Sequence, residues 1–172
     1  MKTTLETINR MQADGIIGQY AIGGAVGATF YLEPVATLDI DVFVSFQKVP
    51  GSGLISLAPV YEYLTARGFQ AEQEHIVIAG WPVQFLPPGN ALVEEALAQA
   101  IATDVEGVPT RVMTAEHLAA IALQTGRAKD MARVLQFIES GTLDADRLDW
   151  VLTRHGLVAK WEKFGDKFKD NR

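Results

Sequence analysis

Asp39 and Asp41 stand two residues apart in the run TLDIDVFVSF, among apolar and β-branched residues. A strand alternates its side chains between faces and rises about 3.3 Å per residue, so the two carboxylates share one face, roughly 6.6 Å apart. Leu38, Ile40, Val42 and Val44 take the other face, toward a core. Neighbouring carboxylates repel, which raises at least one pKa unless a cation or hydrogen bonds offset the repulsion. A divalent metal is the common offset. An oxygen-only ligand set suits Mg²⁺, which keeps several waters and binds nucleotide phosphates at the same time. A solvated face of an edge strand would also hold two acids. Two of them in so apolar a strand, just after a glycine pair, favour a site.

The elements around the pair must position it. Tyr20-Ala21-Ile22 reads as a short strand, and Gly23-Gly24 permits backbone geometry that side chains forbid. A helix over Ala25 to Tyr31 follows and is ended by Pro34. Its N-terminal N–H groups would favour phosphate over the glycines, although turns use Gly-Gly constantly. Thr37 either donates its hydroxyl to a ligand or simply opens the strand as a β-branched residue. Far downstream lies Gly126-Arg127-Ala128-Lys129-Asp130. Arg127 and Lys129 at a helix start oppose the helix dipole. Either a phosphate or carboxylate partner explains them, or Asp130 offsets them in a solvated turn.

With 172 residues, the chain is long enough for one domain, or one domain with a small helical extension. A net charge of -6 argues against non-specific nucleic-acid binding, and the absence of cysteine excludes disulfides, zinc-thiolate sites and thiol catalysis. The opening MKTTLETINR is charged and amphipathic rather than a signal peptide. No apolar run approaches the ~18 residues of a membrane span. The expectation is a cytoplasmic protein that does not meet a membrane.

Thr3 and Glu6 suggest a capping box for a first helix carrying Leu5, Ile8 and Met11. A turn-rich loop over Lys48 to Gly53 leads to a helix capped by Ser56 and running to Gly68. Phe69 to Leu86 reads as two strands, His75–Ala79 and Trp81–Leu86, with Gln84 on the face opposite Trp81, Val83 and Phe85. Pro82 places the second near a strand start or edge. His75 reads as a surface residue rather than a ligand. Asn90 caps a helix to Ile101, and Thr103 to Met113 forms a hairpin through Gly107. Helices then run from Ala115 to Gln124, capped by Thr114 and stopped by Gly126, and from about Ala128 to Ser140 with Met131, Val134, Leu135 and Ile138 at helical spacing. Asp144 starts another with Leu148, Val151 and Leu152, and Trp161 to Arg172 closes the chain as a short amphipathic helix that frays.

The order of parts, Gly23-Gly24, then Asp39-Ile40-Asp41 on a strand, a meander, and helices with GRAKD, resembles the nucleotidyltransferase superfamily whose best-known member is DNA polymerase β. More narrowly, it is similar to the minimal AbiEii-toxin-like nucleotidyltransferases, over about residues 18–138. The resemblance implies that Gly23 and Gly24 hold a nucleoside triphosphate, that Asp39 and Asp41 bind Mg²⁺, and that Arg127 and Lys129 bind phosphate. It implies a protein or RNA acceptor and a partner protein of toxin–antitoxin type. The chain departs from the family in four places, one of them a slightly longer gap after the glycines. The third acid falls at neutral Gln84, Val35 stands where relatives often carry Arg, and Gln124 near where they often carry Lys. Glu33, Glu72 and Glu74 are the candidates to replace the missing charge. A dinucleotide-binding unit also has a strand, a glycine turn and a later acid. Here the glycines run Gly23-Gly24-x-x-Gly27, and the acids form a pair inside a strand.

The expected fold is α+β: a nucleotidyltransferase-like mixed β-sheet of about five strands with flanking helices over 1–113, followed by a C-terminal helical bundle over 114–172. Two functions compete. One is Mg²⁺-dependent transfer of a nucleoside monophosphate to a hydroxyl, for which the retained aspartates speak. The other is a non-catalytic binding or sensing module, for which Gln84 speaks.

Overall fold

The computed structural model describes residues 1–34, 37, 39–46 and 56–169. The inward placement of Leu38, the departure at Val35, the turn-rich loop over 48–53 and the last residues of the tail lie outside these. Among the described residues, β1 (Tyr20–Ile22), β2 (Ile40–Val44), β3 (Gln70–Glu72), β4 (His75–Ile78), β5 (Trp81–Leu86), β6 (Ile101–Val105) and β7 (Val108–Val112) form one mixed sheet in the order β3-β4-β5-β2-β1-β7-β6. β2 lies at its centre, parallel to β5 with Asp41 opposite Gln84, and antiparallel to β1 with Val42 opposite Ile22. β1 is in turn parallel to β7.

Alternation along β2 divides the two faces. Ile40, Val42 and Val44 are fully buried on one side, with Val83 and Phe85 of β5 and Ile76 and Ile78 of β4. α1 (Lys2–Ala13) and α3 (Ala58–Thr65) cover that side through Leu5, Ile8, Met11, Val60 and Leu64. Asp41 and Phe43 take the other side. There α2 (Gly24–Ala28), α4 (Ala91–Ala98), α5 (Ala115–Thr125) and α6 (Ala128–Ser140) pack through Ala28, Val93, Leu97, Leu118 and Phe137, with Met113 from the end of β7. A further apolar cluster joins α5 and α6 to α7 (Ala145–Arg154) and α8 (Val158–Lys169) through Leu123, Val134, Leu148, Val151, Leu152 and Phe164. An α+β fold with a mixed sheet, flanking helices and a helical C-terminal part is what the sequence led us to expect.

A buried polar node fastens the helical layer. Glu95 Oε1 of α4 lies 3.3 Å from His117 Nε2 of α5 and 2.9 Å from His155 Nε2 at the end of α7, while Arg154 Nε donates to Oε2 at 2.5 Å. Thr114 Oγ1, 2.8 Å from His117 Nδ1, caps α5. Burial pushes the Glu95 carboxyl up, but the hydrogen bonds from His155 and His117, and then Arg154, outweigh it and hold the group below its ordinary value. Burial pulls the His117 imidazole down.

The differences from the expected elements have local causes. Among the described residues the sheet has seven strands against about five expected, and β3 in particular has no sequence signature, being exposed at all three residues without apolar alternation. The stretch from Phe69 to Leu86 therefore holds three strands rather than two. Thr3 lies inside α1 rather than capping it, and its carbonyl accepts from the Thr7 hydroxyl. α2 ends at Ala28 rather than Tyr31. α4 stops at Ala98, and Ile101 instead opens β6. In α6 Val134 and Phe137 are fully buried, whereas Ile138 is 42% exposed. α8 begins at Val158, before Trp161. Ser56 Oγ accepts from the Ala58 N–H at the start of α3, which ends at Thr65. Pro82 is the second residue of β5, one position before the register with β2 begins.

A folded-state pKa below the unfolded one stabilises the fold above the unfolded value and loses that contribution as pH falls through the folded value. Glu95→Gln is therefore expected to cost about 1–3 kcal/mol near neutrality. Its deficit against wild type, followed by urea denaturation across pH, should shrink as pH drops below the ordinary Glu range of about 4.3. A deficit that does not change with pH would show that the charge on Glu95 is not what holds the node.

Candidate functional site

The site forms where β1 turns into α2 beside β2. The Gly23 N–H donates to the Asp41 carbonyl at 3.0 Å, extending the β1–β2 ladder by one step. Gly24 has φ +57°, and a Cβ there would overlap the Asp41 carboxylate. Glycine is thus required at 24 by both conformation and space. A Cβ at Gly23 would come within 2.5 Å of the Phe43 ring and 3.2 Å of the Met113 sulfur. The pair lets the Asp41 carboxylate lie directly against the start of α2.

Asp39 immediately precedes β2, and its side chain is 37% exposed. Thr37 Oγ1 lies 3.2 Å from the Asp39 carbonyl and 3.4 Å from its Oδ1, so the hydroxyl steadies Asp39 and does not start the strand. Asp39 Oδ2 is 3.2 Å from His75 Nε2. His75 is therefore part of the site rather than the detached surface residue expected from sequence. Its place at the start of β4, one register step beyond the Ile76–Val83 pair, sets it beside Gln84. Gln84 Nε2 in turn donates to Glu74 Oε2 at 3.3 Å.

Burial pushes the Asp41 carboxyl up, and the negative charge of Asp39 adds to this; Arg133, Lys129 and Arg127 act in the opposite sense. Among the described residues no side chain or N–H is hydrogen-bonded to the Asp41 carboxylate. The three cations come from α6 and the residue before it. Gly126 closes α5 in the left-handed conformation, φ +76°, and Arg127 then caps α6. Arg127 does not oppose the helix dipole alone: its Nε and Nη2 donate to Asp130 at 2.6 and 3.2 Å. Lys129 has no ion-pair partner among the described residues.

A hollow of about 280 Å³ is lined by Gly24, Thr37, Asp39, Asp41, Arg127 and Lys129, among others, so the structure gathers all but Gly23 of the sequence-proposed residues around one space. It shares Ala25, Thr37, Asp39, Lys129 and Arg133 with a wider groove of about 850 Å³, which reaches Glu72, Gln73 and His75 on one wall and Gln136 on the other. Sequence reasoning missed Arg133, although its spacing of four from Lys129 sets both on one helix face. It missed His75 because the turn that aligns it with the site has no apolar signature.

Asp39 and Asp41 offer carboxylate oxygens, those of Asp41 partly buried and without a hydrogen bond among the described residues, which fits a Mg²⁺ ion completed by water and phosphate. Among the described residues no group of three or more His, Asp or Glu side chains is disposed to hold a metal, so Glu33, Glu72 and Glu74 do not complete a three-acid set.

Asp41 with a raised folded-state pKa favours folding below the ordinary carboxylate pKa and loses that contribution as pH rises through its folded value. In metal-free buffer Asp41→Asn is therefore expected to raise Tm by about 2–4 °C at neutral pH, the change that about 1 kcal/mol produces in a domain of this size. The gain should vanish near pH 3. An Asn variant less stable than wild type at neutral pH would mean that the carboxylate has a stabilising partner.

No protein-family model matches the sequence, and no curated protein matches it. Solved structures do match. An antigenic nucleotidyltransferase-like protein from Paracoccidioides brasiliensis superposes with TM-score 0.59 at 13% identity, over 98% of this chain and 91% of that one. ANT(2″)-Ia in complex with adenylyl-2″-tobramycin superposes with TM-score 0.51 at 15% identity, over 94% and 99%. The solution structure of the antibiotic-resistance factor ANT(2″)-Ia gives TM-score 0.51 at 15% identity, over 98% and 97%. With an acid-bearing central strand, a glycine turn and a helical C-terminal part, the chain has the nucleotidyltransferase-like fold.

Proposed function

We propose that the groove binds a nucleoside triphosphate with Mg²⁺ and transfers its nucleoside monophosphate to a hydroxyl acceptor, releasing pyrophosphate. The observation that carries this reading is the partly buried Asp41 carboxylate beside Asp39, with no hydrogen-bond donor among the described residues, facing the cations of α6 across a hollow. Asp39 and Asp41 hold the metal. Gly23 and Gly24 let the phosphates approach the backbone, and Arg127 and Lys129 bind their charge. Thr37 orients Asp39. Bound Mg²⁺ supplies Lewis-acid polarisation of the α-phosphate and neutralises charge on the departing pyrophosphate. The protein's share is positioning and charge stabilisation, which is most of what phosphoryl-type transfer needs.

The narrower AbiEii-like assignment, with a protein or RNA acceptor, a partner protein of toxin–antitoxin type and a cytoplasmic setting, belongs to this proposal. An amino-sugar acceptor is the other choice to test, given the likeness to ANT(2″)-Ia. Among the described residues no helix is long and apolar enough to cross a membrane. A specific observation favours a second reading, a nucleotide-binding module without catalysis: the residue paired with Asp41 on β5 is Gln84, and no third acid joins the pair among the described residues.

Calorimetric titration with each nucleoside triphosphate, with and without Mg²⁺, tests the site. The expected result is metal-dependent binding with Kd between about 1 μM and 1 mM, the range typical of enzyme substrates. Asp39→Asn/Asp41→Asn should weaken it at least about tenfold, or ~1.4 kcal/mol. Folded wild type that binds no triphosphate would sink both readings. Binding with no pyrophosphate release for any acceptor tried would leave the module.

A further inference from the structure

We propose that Asp130 is a positioning residue for the phosphate-binding wall: it sets the Arg127 guanidinium in a fixed orientation and holds that of Arg133 close by, both facing Asp41, before any ligand arrives. The inference rests on the nucleotide site proposed above and adds to it a residue that need not touch the ligand.

Asp130 is 2% exposed in the first turn of α6, a place where a carboxylate is rarely so buried unless paired. It is paired on both sides. Arg127 Nε and Nη2 reach its two oxygens at 2.6 and 3.2 Å, and Arg133 Nη1 lies 3.8 Å from Oδ1. These contacts, and burial opposed by them, leave the Asp130 carboxyl below its ordinary value. An arginine has five N–H donors in a planar fork. Asp130 takes two of those of Arg127, and the others remain available to the hollow that Arg127 lines.

The exposures differ in a telling way. The Arg127 side chain is 61% exposed, whereas that of Arg133 is 16% exposed. Without Asp130, nothing among the described residues would fix the Arg127 side chain, and binding would then bear the cost of ordering a long rotamer-rich group. Pairing also moderates charge. Arg127, Lys129 and Arg133 face Asp39 and Asp41, and Asp130 keeps the two arginines from collapsing onto those acids. Lys129, with no such partner among the described residues, serves as a point charge.

The test is calorimetry with inorganic tripolyphosphate, Mg²⁺–ATP and AMP on wild type, Asp130→Asn, Arg127→Lys and the Arg127→Ala/Arg133→Ala pair with and without Asp130→Asn. We expect Asp130→Asn to weaken tripolyphosphate and ATP by about tenfold, as losing charge-assisted, bidentate geometry does, and AMP by less than about threefold. Arg127→Lys keeps the charge, loses the fork and leaves Asp130 in place; it should weaken tripolyphosphate to a similar degree, and it guards against an Asp130 variant that does not fold. In the Arg127→Ala/Arg133→Ala background, Asp130→Asn should change affinity no further, as a double-mutant cycle requires of a residue acting through its partners. Equal losses for AMP and tripolyphosphate would overturn the proposal in favour of a purely structural Asp130. So would an undiminished tripolyphosphate affinity in Arg127→Lys. Wild type that binds neither ATP nor tripolyphosphate would defeat the nucleotide site itself, and the positioning role with it.

Discussion

The structure depends on one unfavourable contact: the Asp41 carboxylate, set against the backbone of Gly24 and beside a second negative charge. Left to themselves, two such groups would separate into water. They are held together because β2 is pinned at the centre of the sheet by its other face. Ile40, Val42 and Val44 are fully buried there, and each contributes about 1.5–3 kcal/mol by leaving water. A shift of one pKa unit corresponds to about 1.36 kcal/mol. Three buried aliphatic residues on one strand thus outweigh a substantial repulsion on its opposite face. Pairing on both edges, with β5 and β1, removes the remaining freedom to slip, since a one-residue slip would turn both acids into the core.

The compensation comes from a different part of the chain. The protein carries a net charge of -6, yet around this hollow the three carboxylates of Asp39, Asp41 and Asp130 meet the three cations of Arg127, Lys129 and Arg133. The reversal at Gly126 makes this possible by aiming the start of α6 back at β2. The same helix buries Val134 and Phe137 against two of the apolar clusters, so the cationic wall is as firmly seated as the acids it faces. The Glu95 node adds to this by tying α4, α5 and α7 together behind it.

Much of this was legible in the sequence, because local rules and tertiary demands agree there. The alternation in β2, the glycine pair, the Thr114 cap and the Gly126 stop each carry their own physical signature, and each sits where that signature put it. Asp39, Asp41, Arg127 and Lys129 could be gathered only through the resemblance, since nothing local links residues some ninety positions apart. β3 was not legible because an exposed edge strand needs no apolar alternation. His75 was not legible because its role comes from a two-residue turn and from β4 pairing with β5. Phe137 displaced Ile138 by a single helical position, where packing against Tyr31, 6.5 Å away between ring centroids, selects the aromatic ring over the aliphatic chain.

The same physics bears on the neutral residue at 84. Gln84 is the cross-strand partner of Asp41, and Glu74, which accepts from its amide, supplies a negative charge on the turn beyond it. A carboxylate at 84 would bring a third like charge onto the row that already holds Asp41, with Asp39 close by. The cations of α6 lie across the hollow rather than in that row, and Arg127 and Arg133 are already engaged by Asp130. The metal-free fold would then bear a further repulsion with no new partner to offset it. Gln84 instead donates from its N–H₂ to Glu74 and adds no charge to the row.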